Sequence, residues 1–329
     1  MRVVAIVNAR ARAITPKLRA RIEQTLPGHV RFTETLDEAR ATIRRELRRG
    51  VDLVILGGGD GTVVMGLTLI GEACRGFGTR EPMIAVLRLG SGNAIADTVA
   101  ATDDVIADLA RLSRGAGTRR VLPLIEVLGV RAPFVGMGLD AQLLEDHEVV
   151  GRVVDRLPGG RFVGGATRYA LSVALRSVPR FALGTRPNAI VTNLGRDAIE
   201  LVGPGDRAGR SRTGELWRGP CTLVAGSTIP YFGFGLKMFA FAESRSDAFH
   251  LRCGEPGLFE IMRNTPAAFR GEYFSERVHD FLCDRVAIEL DREAAIEAGG
   301  ELLGRRSRVE LALGVPITVL ALGAAPSYG

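Results

Sequence analysis

The chain has 329 residues, 46% hydrophobic and 24% charged, a balance that excludes disordered, collagen-like and low-complexity classes and fits two ordinary domains or one enlarged one. No window approaches the 18 or so consecutive apolar residues of a membrane span, and the opening MRVVAIVNARA lacks the basic start and long apolar stretch of a secretory signal. The formal charge of +6 is carried almost wholly by arginine, and with 6% aromatics and no basic run interleaved with them, nucleic acid is not an expected partner. The four cysteines, Cys74, Cys221, Cys253 and Cys283, lie far apart without CxxC spacing, which predicts reduced thiols in a cytoplasmic protein and neither a zinc site nor a disulfide frame.

In chain order, residues 3–7 read as a strand, 17–26 as a helix, 30–33 as a strand, 36–49 as a helix and 51–56 as a strand. A helix follows Gly61, then a strand at 83–87 and helices from Asn93 and Asp103. Continuous apolar strands alternating with helices predict a doubly wound α/β domain, its parallel sheet covered on both faces and its ligands at the carboxyl ends of the strands. In the helix over 36–49, Leu36, Ala39, Ile43 and Leu47 form one stripe. Arg40, Arg44, Arg45, Arg48 and Arg49 cover the other side, either as a solvated face or as a contact for an anionic membrane.

Past residue 117 the pattern becomes strand-rich, at 120–128, 132–135, 189–193, 221–225, 249–251 and 286–290, interrupted by helical stretches at 166–178 and 258–269. This predicts a β-rich second domain with β-sandwich character, starting at residue 118, with 203–214 as a surface loop.

Gly57-Gly58-Gly59-Asp60-Gly61-Thr62 is the sharpest local feature, standing between an apolar strand and a helix. Glycines let backbone N–H groups approach an anion, and the helix N-terminus adds its positive end, so a phosphate-cradling turn is expected. A second turn, Gly90-Ser91-Gly92-Asn93, also lies between strand and helix and would form another wall of the same crevice, or simply a capped turn. Neither Lys17 nor Lys237 sits in a P-loop, so phosphate charge is left to arginines, backbone amides or a metal. Gly136-Met137-Gly138-Leu139-Asp140-Ala141, with Asp155 following, fits a dinucleotide fingerprint and leaves an NAD-dependent oxidoreductase as an alternative. The histidines have no ligand-like spacing and no serine sits in GxSxG, which makes Asp60, Asp140 and Glu301 the better chemical candidates. Each acid also has a plain structural reading, as helix cap or turn residue.

Together these motifs resemble the diacylglycerol kinase catalytic family, the lipid kinases that include bacterial diacylglycerol kinases and the sphingosine and ceramide kinases. GGGDGT at 57–62 is similar to the family's nucleotide loop, LRLGSGNAIA at 87–96 to its second loop, and GMGLDA at 136–141 to the GxGFDA that opens its second domain. YFGFGLKMFAFAESRSDAFHL at 231–251 resembles a further family segment, and AGGELLG at 298–304 falls where the family has DGE. The departures are equally specific: of the family's NPxSG loop only Asn8 remains, with Arg10 and Arg12 where Ser-Gly is usual. Val64-Met65 replaces Asn-Glu, Ala94 and Gly299 each replace Asp, and Phe241 and Asp247-Ala248 stand for the later Pro and Asp-Gly.

The resemblance implies an ATP- and Mg²⁺-dependent kinase that moves a γ-phosphoryl group to the hydroxyl of a lipid such as diacylglycerol or a sphingoid base. It also implies that residues 302–329 return to the first domain, that 118–301 form the lipid-substrate domain, and that catalysis occurs between the two. Asn8, Gly57, Gly58, Gly59, Gly61, Thr62, Gly90, Ser91, Gly92 and Asn93 are then expected to hold nucleotide. Asp60 would stand near the metal or the reacting hydroxyl, Glu301 would be the base, and Asp140 would line the substrate cleft. A lipid substrate implies peripheral contact with an anionic membrane; a homodimer and a non-catalytic lipid- or nucleotide-binding relative stay open.

Overall fold

The computed structural model describes residues 1–138, 141–142, 144–146, 149–150, 186–203 and 209–323. Asp140, Asp155 and the expected helix at 166–178 lie outside them.

The first half alternates β1 (Val3–Asn8), α1 (Pro16–Thr25), β2 (Val30–Thr33), α2 (Leu36–Arg48), β3 (Leu53–Gly58), α3 (Asp60–Phe77) and β4 (Met83–Arg88). It continues with α4 (Ala94–Thr98), α5 (Val105–Ser113) and β5 (Thr118–Leu122). The helix starts follow local capping chemistry. Thr15 accepts from the Leu18 N–H ahead of Pro16, Thr35 accepts from Glu38 N–H, and Asp104 accepts from Ala107 N–H. β3 is buried along its whole length, as a central parallel strand covered on both faces must be.

The second half holds β6 (Ile125–Val127), β7 (Val130–Ala132), β8 (Phe134–Gly138), β9 (Asn188–Asn193), β10 (Ala198–Leu201), β11 (Arg210–Arg212) and β12 (Glu215–Pro220). β13 (Leu223–Ser227), β14 (Phe249–Gly254), α6 (Leu258–Arg270), β15 (Val278–Cys283), β16 (Arg285–Ala298), β17 (Glu301–Leu313) and β18 (Ile317–Ala321) follow among the described residues.

Two sheets result. The first is six-stranded in the order β2-β1-β3-β4-β18-β5, parallel except where β5 runs against β18. The second is a 12-stranded antiparallel sheet with β8 and β16 near its middle. The doubly wound first domain and β-rich second domain are as the sequence predicts.

The sheets divide at other residues than 117 and 302. Residues 120–128 do not form one strand: the chain leaves the first sheet after Leu122, passes Pro123, which has no N–H to offer a ladder, and enters the second at Ile125. Residues 301–313 stay in the second sheet, so that only β18 of the C-terminal part joins the first. The expected loop at 203–214 contains strand β11.

One apolar core links the two halves, running from Val3 in β1 through Met137 in β8 to Leu322. At the seam Arg131, only 2% exposed, donates to Glu81 Oε1 at 2.7 Å and to the Val315 carbonyl at 3.0 Å. Its backbone N–H donates to Thr68 Oγ1 in α3, and a β-carbon on Gly71 would collide with its guanidinium. A buried cation held this way is costly to strip of its partners or to remove from them. Arg131→Ala is therefore expected to lower stability by about 2–4 kcal/mol, leaving Glu81 and the Val315 carbonyl unmet. Urea unfolding of the two proteins checks this.

Candidate active site

The carboxyl ends of β1, β3 and β4 bring Asn8, the Gly57–Thr62 loop and the Gly90–Asn93 loop to one edge of the first sheet. Gly57 and Gly58 are tight positions at the end of β3: a β-carbon on Gly57 would lie 3.0 Å from Val7 Cγ2 and 3.1 Å from Leu89 Cδ1, and one on Gly58 would collide with Thr62. Gly59, with φ −86° and ψ 179°, opens α3 without any side-chain cap bond, so the first N–H groups of that 18-residue helix lack a side-chain cap of the usual kind. The two loops touch backbone to backbone, since a β-carbon on Gly59 would lie 3.3 Å from Gly90 Cα and one on Gly90 would collide with Gly59. Only glycines permit that approach.

Side chains then fix the loops. Asn8 Nδ2 donates to Thr62 Oγ1 at 3.1 Å, and Asn8 Oδ1 accepts from the Arg10 N–H at 2.9 Å. Asn93, buried and left-handed at φ 56°, clasps Gly90 on both sides: its Oδ1 accepts the Gly90 N–H and its Nδ2 donates to the Gly90 carbonyl, each at 2.9 Å. Arg12 Nη1 reaches Ser91 Oγ at 3.4 Å, while Arg10 turns outward to Glu34 at 3.6 Å. Of the two arginines in the altered first loop, Arg12 is the one beside the glycine turns.

Asp60 has a specific and partly unexpected place. Its Oδ2 accepts the Ala94 N–H at 3.0 Å and its Oδ1 the Ile95 N–H at 2.9 Å, so it caps α4 across the cleft and not the helix α3 in which it sits. Burial pushes its carboxyl above the usual aspartate range, against the lowering effect of these two N–H donors and of the nearby Arg88 guanidinium. Arg88 in turn pairs with Asp97 and, at 3.0 Å, with Asp103.

Glu301 arrives from the second sheet. β16 and β17 are joined by Gly299 at φ 58° and Gly300 at φ 84°, the left-handed pair of a two-residue primed turn. This hairpin lies over the start of α3: Gly300 would place a β-carbon 3.8 Å from Gly61 N, and a β-carbon on Gly61 would collide with Glu301 Oε1. Beneath it, a β-carbon on Gly299 would collide with Val64 Cγ2, so the two departures at 64 and 299 meet as one apolar contact. Glu297, absent from the expected set, is buried and accepts the Gly300 N–H at 2.8 Å, which fastens the turn. Its signal was a lone acid inside the apolar run Ala294-Ala295-Ile296-Glu297-Ala298.

The segment after β13 closes the other side. Gly233, Phe234 and Gly235 all have positive φ, and the Phe234 N–H donates to the Gly92 carbonyl at 2.8 Å. For a phenylalanine this conformation costs about 1–2 kcal/mol. Asp247, farther along, pairs with Arg196 at 2.7 Å and Arg245 at 2.9 Å on the surface, away from the loops.

The loops suit a phosphate chain, with two glycine turns in backbone contact beside a helix start and an arginine. They do not by themselves suit a magnesium ion. Each oxygen of Asp60 already accepts one N–H, and the described residues contain no group of three or more His, Cys, Asp and Glu that could hold a metal. The dinucleotide fingerprint fares worse, because Gly136 and Gly138 lie inside β8 between antiparallel neighbours β13 and β16, not in a turn between a parallel strand and a helix.

Residues 2–122 match the diacylglycerol kinase catalytic domain. That match contains both glycine loops, Asn8 and Asp60, and it bears out the resemblance carried by the motifs. Over the whole chain the fold is similar to a crystal structure of a diacylglycerol kinase from Bacillus anthracis str. Sterne, at 16% identity and TM-score 0.60, covering 98% of each chain. A second B. anthracis str. Sterne structure, provisionally assigned as a diacylglycerol kinase, gives 17% identity and TM-score 0.64 over 97% of this chain and 96% of the other. No curated protein matches. At such identities the structural likeness speaks for the fold, while the likeness to a kinase domain rests on the family match over residues 2–122.

Asp60→Asn should cost about 1–3 kcal/mol, because the amide can accept only one of the two N–H groups and turns a donor toward the other. The pH dependence has a definite sign. Since the folded-state value is raised, the folded protein takes up a proton that the unfolded chain does not between the usual aspartate range and the raised value. Stability from this group therefore grows as pH falls through that window and shrinks as pH rises. Urea unfolding across mildly acid pH should show this slope in wild type and lose it in Asp60→Asn.

Proposed function

We propose that the protein is an ATP-dependent lipid kinase that transfers the γ-phosphoryl group to a lipid hydroxyl, diacylglycerol or a sphingoid base being the substrate type. The observation that carries the reading is the seating of Glu301, from the second sheet, against Gly61 in the first turn of α3. That contact sets a carboxylate beside the turns suited to a phosphate chain. The family match over residues 2–122 supports the phosphoryl-transfer class.

Phosphoryl transfer asks of a protein mainly positioning and charge neutralisation. In this reading the glycine turns and the start of α3 receive the phosphates, Arg12 adds a positive charge beside them, and Asn8, Asn93 and Thr62 keep the turns in shape. Glu301 takes the hydroxyl proton on a carboxylate oxygen as the new oxygen–phosphorus bond forms and the bond from the γ-phosphorus to the bridging oxygen breaks, releasing ADP. Magnesium, were it bound with the nucleotide, would supply neutralisation of phosphate charge. Asp60 acts through the loops it joins. A lipid substrate makes peripheral membrane contact part of the same proposal; among the described residues no helix is long and apolar enough to cross a membrane.

The Val64–Gly299 contact favours a second reading, a relative that binds nucleotide and lipid without transfer, because it puts an apolar pair where the resembling family has polar side chains. A radiolabelled ATP assay against a lipid panel separates the two. Under the kinase reading, Glu301→Gln should leave nucleotide affinity close to wild type by calorimetry and slow turnover by roughly 10²–10⁴-fold. An unchanged rate removes Glu301 as the base, and no transfer by wild type to any lipid leaves the binding-only reading.

A further inference from the structure

Helix α6 spans Leu258–Arg270 and presents an apolar stripe to solvent. Phe259 is 78% exposed, Met262 66% and Phe269 46%, and with Pro266 they recur at spacings of three and four, which places them on one face. Scattered exposed apolar residues need no explanation, but a continuous stripe with two phenylalanines marks a surface that something covers. The acid of the helix does not interrupt it: Glu260 accepts a hydrogen bond from Tyr273 Oη at 3.0 Å. Cations rim it instead. Arg263 is exposed beside Met262, and Arg270 follows Phe269, paired with Glu272 at 2.6 Å.

The stripe is also continuous with the candidate site. The Lys237 N–H donates to the Ala268 carbonyl in the last turn of α6 at 3.0 Å, and Gly271 lies against the Lys237 side chain. Three residues before Lys237 stands Phe234, 59% exposed and left-handed, whose N–H is bonded to the Gly92 carbonyl of the second glycine loop. One short segment thus connects the phosphate-cradling turns to a helix with phenylalanines outward and arginines at its rim.

The geometry points to α6 and the Phe234 tip as the surface that docks on a lipid bilayer, with the phenylalanines in the headgroup–acyl boundary and Arg263 and Lys237 at the headgroups. This rests on the lipid-kinase reading and names where that enzyme meets its membrane. The arginine face of α2 is the weaker candidate on two grounds. Its cations are partly spent within the protein, Arg40 on Glu72 at 2.8 Å, Arg45 and Arg49 on Glu46, Arg44 and Arg48 on the ring of Phe77. It also lies in the first sheet's helical layer, where Arg40 meets the later half of α3 at Glu72 and not the glycine loop that opens that helix.

Co-sedimentation with phosphatidylcholine vesicles, and with vesicles also containing phosphatidylserine, tests the assignment. Wild type is expected to bind both, somewhat better with the anionic lipid. Phe259→Asp/Phe269→Asp is expected to lower the bound fraction roughly tenfold. Arg40→Glu/Arg44→Glu/Arg48→Glu should leave it near wild type. Met262→Asp gives an independent readout of the same stripe, and circular dichroism confirms that each variant is folded. The proposal is overturned if the phenylalanine variant sediments like wild type, if the arginine variant alone loses binding, or if wild type binds neither vesicle. It is equally overturned if wild type is a dimer that the phenylalanine variant dissociates without any vesicle binding, which would make a second copy the occupant. Nucleotide affinity by calorimetry and transfer to a short-chain, water-soluble lipid alcohol report the kinase reading separately, and both should be unchanged in the phenylalanine variant.

Discussion

A carboxylate shut away from water must have its oxygens met by donors, and Asp60 meets that demand with two backbone N–H groups from a helix 34 residues further along the chain. The rest of the cleft follows from this arrangement. With Asp60 fixed at the start of α3 and bonded to the start of α4, the loops before those helices cannot drift apart, and Gly59 and Gly90 are brought into backbone contact. Asn93 then closes the second loop on itself by clasping Gly90, while Asn8 ties the first to β1 through Thr62. Asp60 thereby fastens the two glycine turns to each other.

The second sheet adds an acid that approaches from outside the first. A two-residue turn of left-handed glycines puts Glu301 over Gly61, and Glu297 holds the turn by accepting the Gly300 N–H. The same geometry explains why Val64 and Gly299 occur together. Any β-carbon at 299 would run into the Val64 side chain, so an aspartate there requires a different residue at 64, and one at 64 that also tolerates burial beneath the turn. The two departures are a single packing solution that keeps the hairpin close to α3.

Local signals made the first half of the chain legible. The strand at 30–33 and the helices at 16–25 and 36–48 follow from apolar period, a threonine cap and proline or glycine punctuation, all of which act within a few residues. The glycine loops were legible because glycine has few reasons to recur between strand and helix. What sequence could not supply was pairing at long range: the capping of α4 by Asp60, the clasp of Asn93 on Gly90 and the buried bond of Glu297 each depend on where the chain returns. Strand β17 was hidden for another reason. Its run Gly304-Arg305-Arg306-Ser307-Arg308 is polar and exposed, yet it forms an arm with β16, with cross-strand pairs such as Arg308 with Glu289 at 3.0 Å and Arg285 with Glu310 at 2.9 Å along the hairpin.

A helix that turns phenylalanines to solvent needs its footing elsewhere, and α6 finds it in a small separate core of Leu223, Ala225, Phe239, Ala268, Tyr273 and Val278. Among the described side chains only Ala268 of this core comes from the helix itself, so polar bonds must supply much of the hold. Tyr273 Oη reaches back to Glu260, and the Tyr273 carbonyl accepts from buried Arg252 at 2.9 Å, which is itself bonded to Asp280 at 2.7 Å. Burial alone would raise the Asp280 carboxyl, but the Arg252 charge and the His250 ring, 2.8 Å away, hold it well below the usual range. His250 is pushed the other way, toward its neutral form, by burial between Phe239 and Phe241. An ionised, fully partnered Asp280 thus anchors Arg252, Arg252 anchors the Tyr273 backbone, and Tyr273 anchors the helix, which leaves the outer stripe of α6 exposed on a rigid base instead of collapsing inward.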